Sequence, residues 1–314
     1  MTSPARQPRP DPRRHPERPA AAPDPATDAY VTHRNLLFTV AYEMLGSAAD
    51  AEDVLQETWL RWSAVDLGAV REHRSYLVRI VTRQALKRLR TLQRRKESYV
   101  GPWLPEPLLT APDVADDIEL ADSVSMAMLL VLETLGPAER AVFVLREVFA
   151  LDYDEIAEAV GKTPAAVRQI AHRARSHVTA RRPRATPSPD EAQRALRAFQ
   201  RAITTGDLQG LVDVLAPDVV LLSDGGGIRQ ALPYPVVGID NLLRLLTTGW
   251  STHLAGRSAE PLHINAAPAL LVRRDDEIEA VLSLHLTDGR ITAVYNIRNP
   301  EKLRRVEREA GVGR

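Results

Sequence analysis

The sequence predicts a multi-domain chain: two all-α domains, the second a helix-turn-helix, followed by an α+β domain. Three observations predict it. Residues 30–96 and 118–182 carry apolar residues at helical spacing. Within the second stretch, DYDEIAEAVGKTPAAVRQIAHRARSHV (152–178) sets a short amphipathic helix, a glycine turn and a basic helix in succession. Beyond residue 188, helices give way to alternating runs that read as strands.

The elements follow in order. The first 29 residues are rich in Pro, Arg, Ala and Asp and hold no apolar run, which predicts a disordered arm rather than a signal peptide. Leu36, Leu37, Val40, Ala41 and Met44 form one helical stripe, ended near Gly46. Ser47 or Asp50 can cap the next helix, in which Ala51, Val54, Leu55, Thr58, Trp59 and Trp62 recur. A third helix, from about Arg74, buries Tyr76, Leu77, Ile80, Val81 and Leu89 beneath a basic face. Four prolines between 97 and 117 exclude continuous helix and predict a linker, with helices resuming near Ile118. A second break, RRPRATPSPD at 181–190, precedes a domain expected over 188–298. It has helices at 191–204, 207–215 and 238–249, and a strand VVLLS at 219–223. ALLVRRD, EIEAVLSLHL and RITAVYNIR read as a strand meander turned at Asp288-Gly289. Residues 299–314 read as a C-terminal segment with a charged tail from Arg304 to Glu309.

The helix-turn-helix carries the first functional signal. Ile156, Ala157 and Val160 give its first helix an apolar stripe. Gly161 supplies the turn, and Thr163 and Pro164 supply an N-cap and a first-turn proline. Val167, Ile170, Ala171 and Ala174 face inward, leaving Arg168, Gln169, His172, Arg173 and Arg175 for base edges and phosphates. No acid lies between Lys162 and Arg184, which favours DNA over a solvated helix face of mixed sign.

Charge supports a binding protein. The chain of 314 residues is formally neutral, yet its charge is segregated. Ten Arg or Lys lie between Arg71 and Lys96 against the single acid Glu72, whereas Glu43–Asp66 is acidic with only Arg61 in opposition. Separate surfaces for DNA and for a basic protein partner are expected. The chain has no cysteine, so disulfides and cysteine-ligated zinc are excluded, as in a reducing cytosol. No metal or cofactor is expected. No apolar run approaches the roughly 18 residues of a membrane span, so a cytoplasmic protein with no membrane partner is expected.

Residues 30–178 resemble an extracytoplasmic-function (ECF) sigma factor, the two-domain minimal form of the bacterial initiation subunit. AEDVLQETWLRW (51–62) is similar to the family's core-polymerase-binding helix, RSYLVRIVTRQALKRLR (74–90) to its promoter −10 helix, and 135–175 to its −35-binding domain. The rest resembles the group with a fused SnoaL-like α+β cone or barrel domain. YVGPWLPEPL (99–108), DGGGI (224–228) and NPEKL (299–303) match that group's linker, extension and C-terminal motifs. Glu301 stands where Asp is usual, and Ile228 where Lys is usual, with Arg229 beside it.

The resemblance implies roles for particular residues. Asp50, Asp53, Gln56, Glu57 and Trp59 would meet the clamp of the polymerase's largest subunit, although Trp59 fits a core position equally well. Arg71, Arg74, Arg79, Arg83, Lys87, Arg88 and Arg90 would contact the −10 element, and Thr163, Arg168, Gln169, His172, Arg173 and Arg175 the −35 element. Tyr99, Trp103, Leu104, Pro105, Asp224, Gly225, Gly226, Gly227, Asn299, Pro300, Glu301, Lys302 and Leu303 would tie the extension to the linker in place of a separate anti-sigma factor. A small apolar ligand in the cavity of the extension would be the signal. Two alternatives stand beside this reading. One is a one-component repressor with a ligand domain. The other is a DNA-tethered SnoaL-like cyclase or isomerase using Asp213, Tyr234, His263, His285 and Tyr295.

Overall fold

The first helical unit is built on α1 (Pro25–Leu45), α2 (Ala48–Trp62) and α3 (His73–Lys96). The structure, a computed structural model, describes residues 24–110, 124–181, 187–247 and 257–312. Helix α1 begins five residues before the expected end of the arm. Pro25 opens its first turn, Ala26 and Tyr30 are buried, and Trp62 Nε1 donates to the Ala26 carbonyl at 2.8 Å. The arm expected over 1–29 is therefore helical over 25–29, because Trp62 gives this turn an apolar seat. Gly46 ends α1 in the left-handed conformation, and Ser47 caps α2 by accepting from Asp50 N.

The second unit contains α4 (Met126–Glu133), α5 (Pro137–Phe143) and a π-type turn over Val144–Val148. Its helix-turn-helix is α6 (Tyr153–Val160) and α7 (Pro164–Thr179). Gly161 is left-handed at φ +69°, and the Thr163 side chain caps α7. Val167, Ile170, Ala171 and Ala174 are buried, as their spacing predicts. One apolar cluster runs through both helical units: Leu37, Val40 and Val81 belong to it together with Ala141, Leu145, Ile156 and Val167. The expected resumption of helix near Ile118 lies outside the described residues.

The α+β domain begins with α8 (Pro189–Thr205) and α9 (Leu208–Val214). Its strands are β1 (Leu215–Asp224), β2 (Val236–Val237), β3 (Arg257–Ile264), β4 (Ala267–Arg274), β5 (Glu277–Thr287) and β6 (Arg290–Ile297), with α10 (Ile239–Leu245) between β2 and β3. The sheet order is β2-β1-β6-β5-β4-β3, antiparallel except for the parallel β1–β6 pair. One face, through Leu282, Leu284 and Val294, packs against Leu196 and Phe199 of α8. The other, through Val281, Ala293, Tyr295 and Ile297, packs against Leu104 of the linker and Met126 of α4. Leu303 and Val306 of a final helix, α11 (Pro300–Val312), complete that second core. The motif and charged tail expected over 299–314 are therefore one amphipathic helix from Pro300 to Val312, with Lys302 turned inward beside Leu303.

Candidate functional site

Asp224 is the centre of a buried clasp at the end of β1. Its side chain is fully buried and accepts from four donors. Oδ1 accepts from Tyr99 Oη at 2.6 Å and from the Gly226 amide at 3.0 Å, and Oδ2 accepts from the Leu104 amide at 2.8 Å and from Lys302 Nζ at 2.7 Å. The Asp224 carbonyl accepts from the Arg298 and Asn299 amides at 2.7 and 2.9 Å, which starts α11. Lys302 Nζ also donates to the Leu104 carbonyl at 2.5 Å, and Asn299 Nδ2 to Tyr99 Oη at 2.9 Å. Thus three motifs, from the linker, the DGGG loop and the NPEKL segment, share one carboxylate. Burial, reinforced by the bond to Asp224, pushes the Tyr99 hydroxyl above its ordinary value, and burial lowers that of Lys302.

Glycine is required in this loop for close approach. A Cβ at Gly225 would overlap the Arg229 carbonyl, and one at Gly226, which sits at φ +64°, would overlap the Asn299 amide. Ile228, where Lys is usual, is exposed, so the missing charge falls outside the clasp, and Lys302 supplies the cation within it. Pro300 opens α11, the Asn299 side chain accepts from the Glu301 amide, and Leu303 is buried.

The linker is seated through its middle, around Trp103–Pro107. Trp103 lies over Gly46, with Lys96 Nζ 3.3 Å and Lys302 Nζ 4.2 Å from its ring centroid. Leu104, Pro105, Glu106 and Pro107 are buried. The Glu106 carboxyl accepts from Ser47 Oγ and the Ala49 amide at the start of α2, at 3.0 and 3.1 Å. Asn265, at the β3–β4 turn, donates from Nδ2 to Tyr42 Oη and to the Val124 carbonyl, both at 2.7 Å, and its Oδ1 accepts from the Leu108 amide. Below them Glu133 joins Lys96 to Arg140. Burial alone would raise the Glu133 carboxyl, but Arg140 and Lys96 overcome this and hold it down; burial also brings the Lys96 ammonium to about 8. Within the linker expected over 97–117, Leu104–Pro107 therefore form a buried strap, while Val100 and Leu109 stay exposed.

The basic surfaces are partly occupied. On α3, Arg79 Nη1 lies 3.2 Å from a Glu158 carboxylate oxygen, and Arg83 donates to the Glu158 carbonyl at 2.8 Å. Ser75 donates to Glu155. Arg88 pairs with Asp50 and Asp53, at 2.5 and 2.9 Å. The two surfaces expected to be separate thus meet, because α2 and α3 are packed neighbours with facing charges. Arg71, Lys87 and Arg90 are exposed and Arg74 is half-buried. Gln56 and Glu57 are exposed, and Trp59 is half-buried with its ring 5.1 Å from that of Tyr30, between the core and surface alternatives. On α7, Thr163, Arg168, Gln169, His172 and Arg173 lie on the exposed face, and Arg175 pairs with Glu147 at 2.5 Å.

The acid–base groups of the cyclase alternative do not converge. Asp213 and Tyr234 are exposed, Asp213 accepts from Gln209, and His263 lies on edge strand β3. His285 and Tyr295 share the sheet face turned away from α8. Among the described residues, one space inside the domain, lined by Phe199, Ile203, Leu242 and Val294, holds about 10 Å³. That is room for about one water. Sequence reasoning missed Glu106, Asn265 and the Glu155–Glu158 contact. Glu106 lay inside the quoted linker motif, but nothing local marked the other two.

Two helical modules, one with an exposed basic recognition helix, strapped together through a third domain, define a DNA-binding transcription factor. Residues 29–95 match sigma-70 region 2, and residues 125–178 match sigma-70, region 4. The chain is 35% identical to the ECF RNA polymerase sigma factor SigJ of Mycobacterium tuberculosis, over 86% of this chain and 90% of that protein. It is 33% identical to the probable ECF RNA polymerase sigma factor SigI of the same organism, over 92% and 99%. The crystal structure of the Mycobacterium tuberculosis extracytoplasmic function sigma factor SigJ superposes with a TM-score of 0.71 at 30% identity, covering 88% of this chain and 98% of that one. The chain belongs to the ECF sigma-factor family. It is an alternative sigma factor that directs transcription initiation with core RNA polymerase at promoter DNA, and not an enzyme.

Proposed function

We propose that the C-terminal domain restrains this sigma factor from within, taking the place of a separate anti-sigma protein. The observation that carries this reading is the Asp224 clasp, which joins the linker to the third domain through a dry carboxylate. With the linker seated, α3 packs on α6, and Glu158 engages Arg79 and Arg83 where promoter phosphates would otherwise bind. The −10 contacts are assigned to Arg71, Arg74, Lys87 and Arg90, joined by Arg79 and Arg83 once Glu158 is displaced. The −35 contacts are assigned to Thr163, Arg168, Gln169, His172 and Arg173, and the polymerase clamp to the exposed edge of α2 at Asp53, Gln56 and Glu57. The pair between Arg79 and Glu158 is exposed, so phosphates can compete for the guanidinium.

Lys302→Met tests the restraint. It keeps the length of the side chain but removes the ammonium that joins Asp224 to the Leu104 carbonyl. In promoter-specific transcription with core polymerase, the full-length variant should initiate several-fold more than the parent at equal folded concentration. Equal initiation would refute restraint through the clasp.

A further inference from the structure

A groove of about 390 Å³ opens between α4 of the second helical unit and strands β5 and β6 of the α+β domain. Leu130 and Val131 form one wall, Ala293 and Tyr295 the other, with His285 between the strands and Arg181, just beyond α7, also lining it. We propose that this groove binds a small amphipathic acid, its apolar body between Leu130, Val131 and Tyr295 and its carboxylate on Arg181. The volume lies in the range of small-molecule sites. The groove occupies the sheet face turned away from α8, separate from the core that α8 covers. Register settles this: His285 pairs with Ala293 and Ser283 with Tyr295, while Leu284 and Val294 between them face α8.

Two features define the chemistry. His285 Nε2 is buried and has no hydrogen-bond partner, a state that native structures rarely leave unexplained. Burial lowers the His285 imidazole and raises the Tyr295 hydroxyl, so each offers a neutral hydrogen bond rather than a charge. Among the described residues the lining carries one cation, Arg181, and no acid. Its guanidinium donates to the His177 carbonyl at 3.4 Å, which leaves most of its donors for a ligand. An anionic head on an apolar body matches this arrangement.

The groove also bridges two domains. A ligand seated there stabilises the docked arrangement in proportion to its occupancy. Such an acid would therefore lower initiation, a sign that rests on the restraint reading. The test uses the full-length protein with sodium octanoate as the acid and 1-octanol as its uncharged counterpart, followed by ligand-observed NMR. Saturable octanoate binding is expected. Arg181→Gln, at an exposed position, should weaken octanoate about three- to tenfold while leaving 1-octanol unchanged. Leu130→Trp should fill the groove and abolish both. Octanoate affinity unaltered by Arg181→Gln, or no saturable binding to the folded parent, would overturn the site. Octanoate that binds in the groove without lowering initiation would overturn the bridging role. The restraint reading itself is decided by Lys302→Met without ligand, so the two failures are distinguishable.

Discussion

The helical units of this protein meet their neighbours in two different ways. At the α3–α6 contact, apolar residues form a shared core and the polar pairs sit at its edge, with the Glu158 side chain 70% exposed. At the linker clasp, Asp224 is 0% and Lys302 12% exposed, and the polar groups themselves form the contact. The difference is one of replaceability. Water or a phosphate can take the place of Glu158 on Arg79 at small cost, since exposed pairs contribute about 0–1 kcal/mol. Removing Asp224 leaves the buried Lys302 ammonium without its counter-ion and the buried Leu104 amide unpartnered. One contact is suited to exchange partners, the other to hold.

The sharpest way to break this contrast is Asp224→Ala. Removing one partner of a buried, hydrogen-bonded charge pair costs about 3–5 kcal/mol. The variant should lose hydrogen-exchange protection at the Leu104 amide and become sensitive to protease within residues 97–110. Retained protection would show that the apolar seat of Leu104 suffices. Gly226→Ala probes the same clasp through geometry alone. Its Cβ would meet the Asn299 side chain at a left-handed backbone position, at a cost of about 1–3 kcal/mol. A thermal melt should register the loss, with Gly227→Ala, whose Cβ would meet only Val100 in van der Waals contact, as the milder neighbour. Glu158→Gln should matter least to stability, by no more than about 1 kcal/mol. A larger loss in the melt would mean that the edge pairs, and not the apolar core, join α3 to α6.

Much of the architecture was legible because periodicity is local. The α7 residues Val167, Ile170, Ala171 and Ala174 had to face inward whatever they packed against, and Thr163 and Gly161 fixed the ends of the turn by their own chemistry. The clasp motifs were legible as motifs, through a family resemblance, but not as a geometry. Tyr99, Asp224 and Asn299 are separated by 125 and 200 positions from Tyr99, and no local pattern says that they share a hydrogen-bond network. Strand β3 went unread because its pattern of half-buried residues at a sheet edge gives little alternation. The helix after NPEKL was read as a tail because its charges outnumber its apolar residues; Leu303 and Val306 are enough to seat it once a sheet face is there to receive them.

By itself, the sequence determined the class of protein: two helical DNA-binding modules, a proline-rich connection and an α+β extension. These follow from spacing, capping and turn chemistry, which act within a few residues. Only the tertiary structure decided what the connection does. It made Leu104–Pro107 of the linker a buried strap, set Glu158 against the arginines of α3, seated α8 on one face of the sheet and opened a groove on the other. β5 is buried on both faces from Ile278 to Leu284, and an antiparallel strand of that kind must have two covers. The chain alone could not say that α8 supplies one and the linker, α4 and α11 the other, because burial is a property of what meets in space.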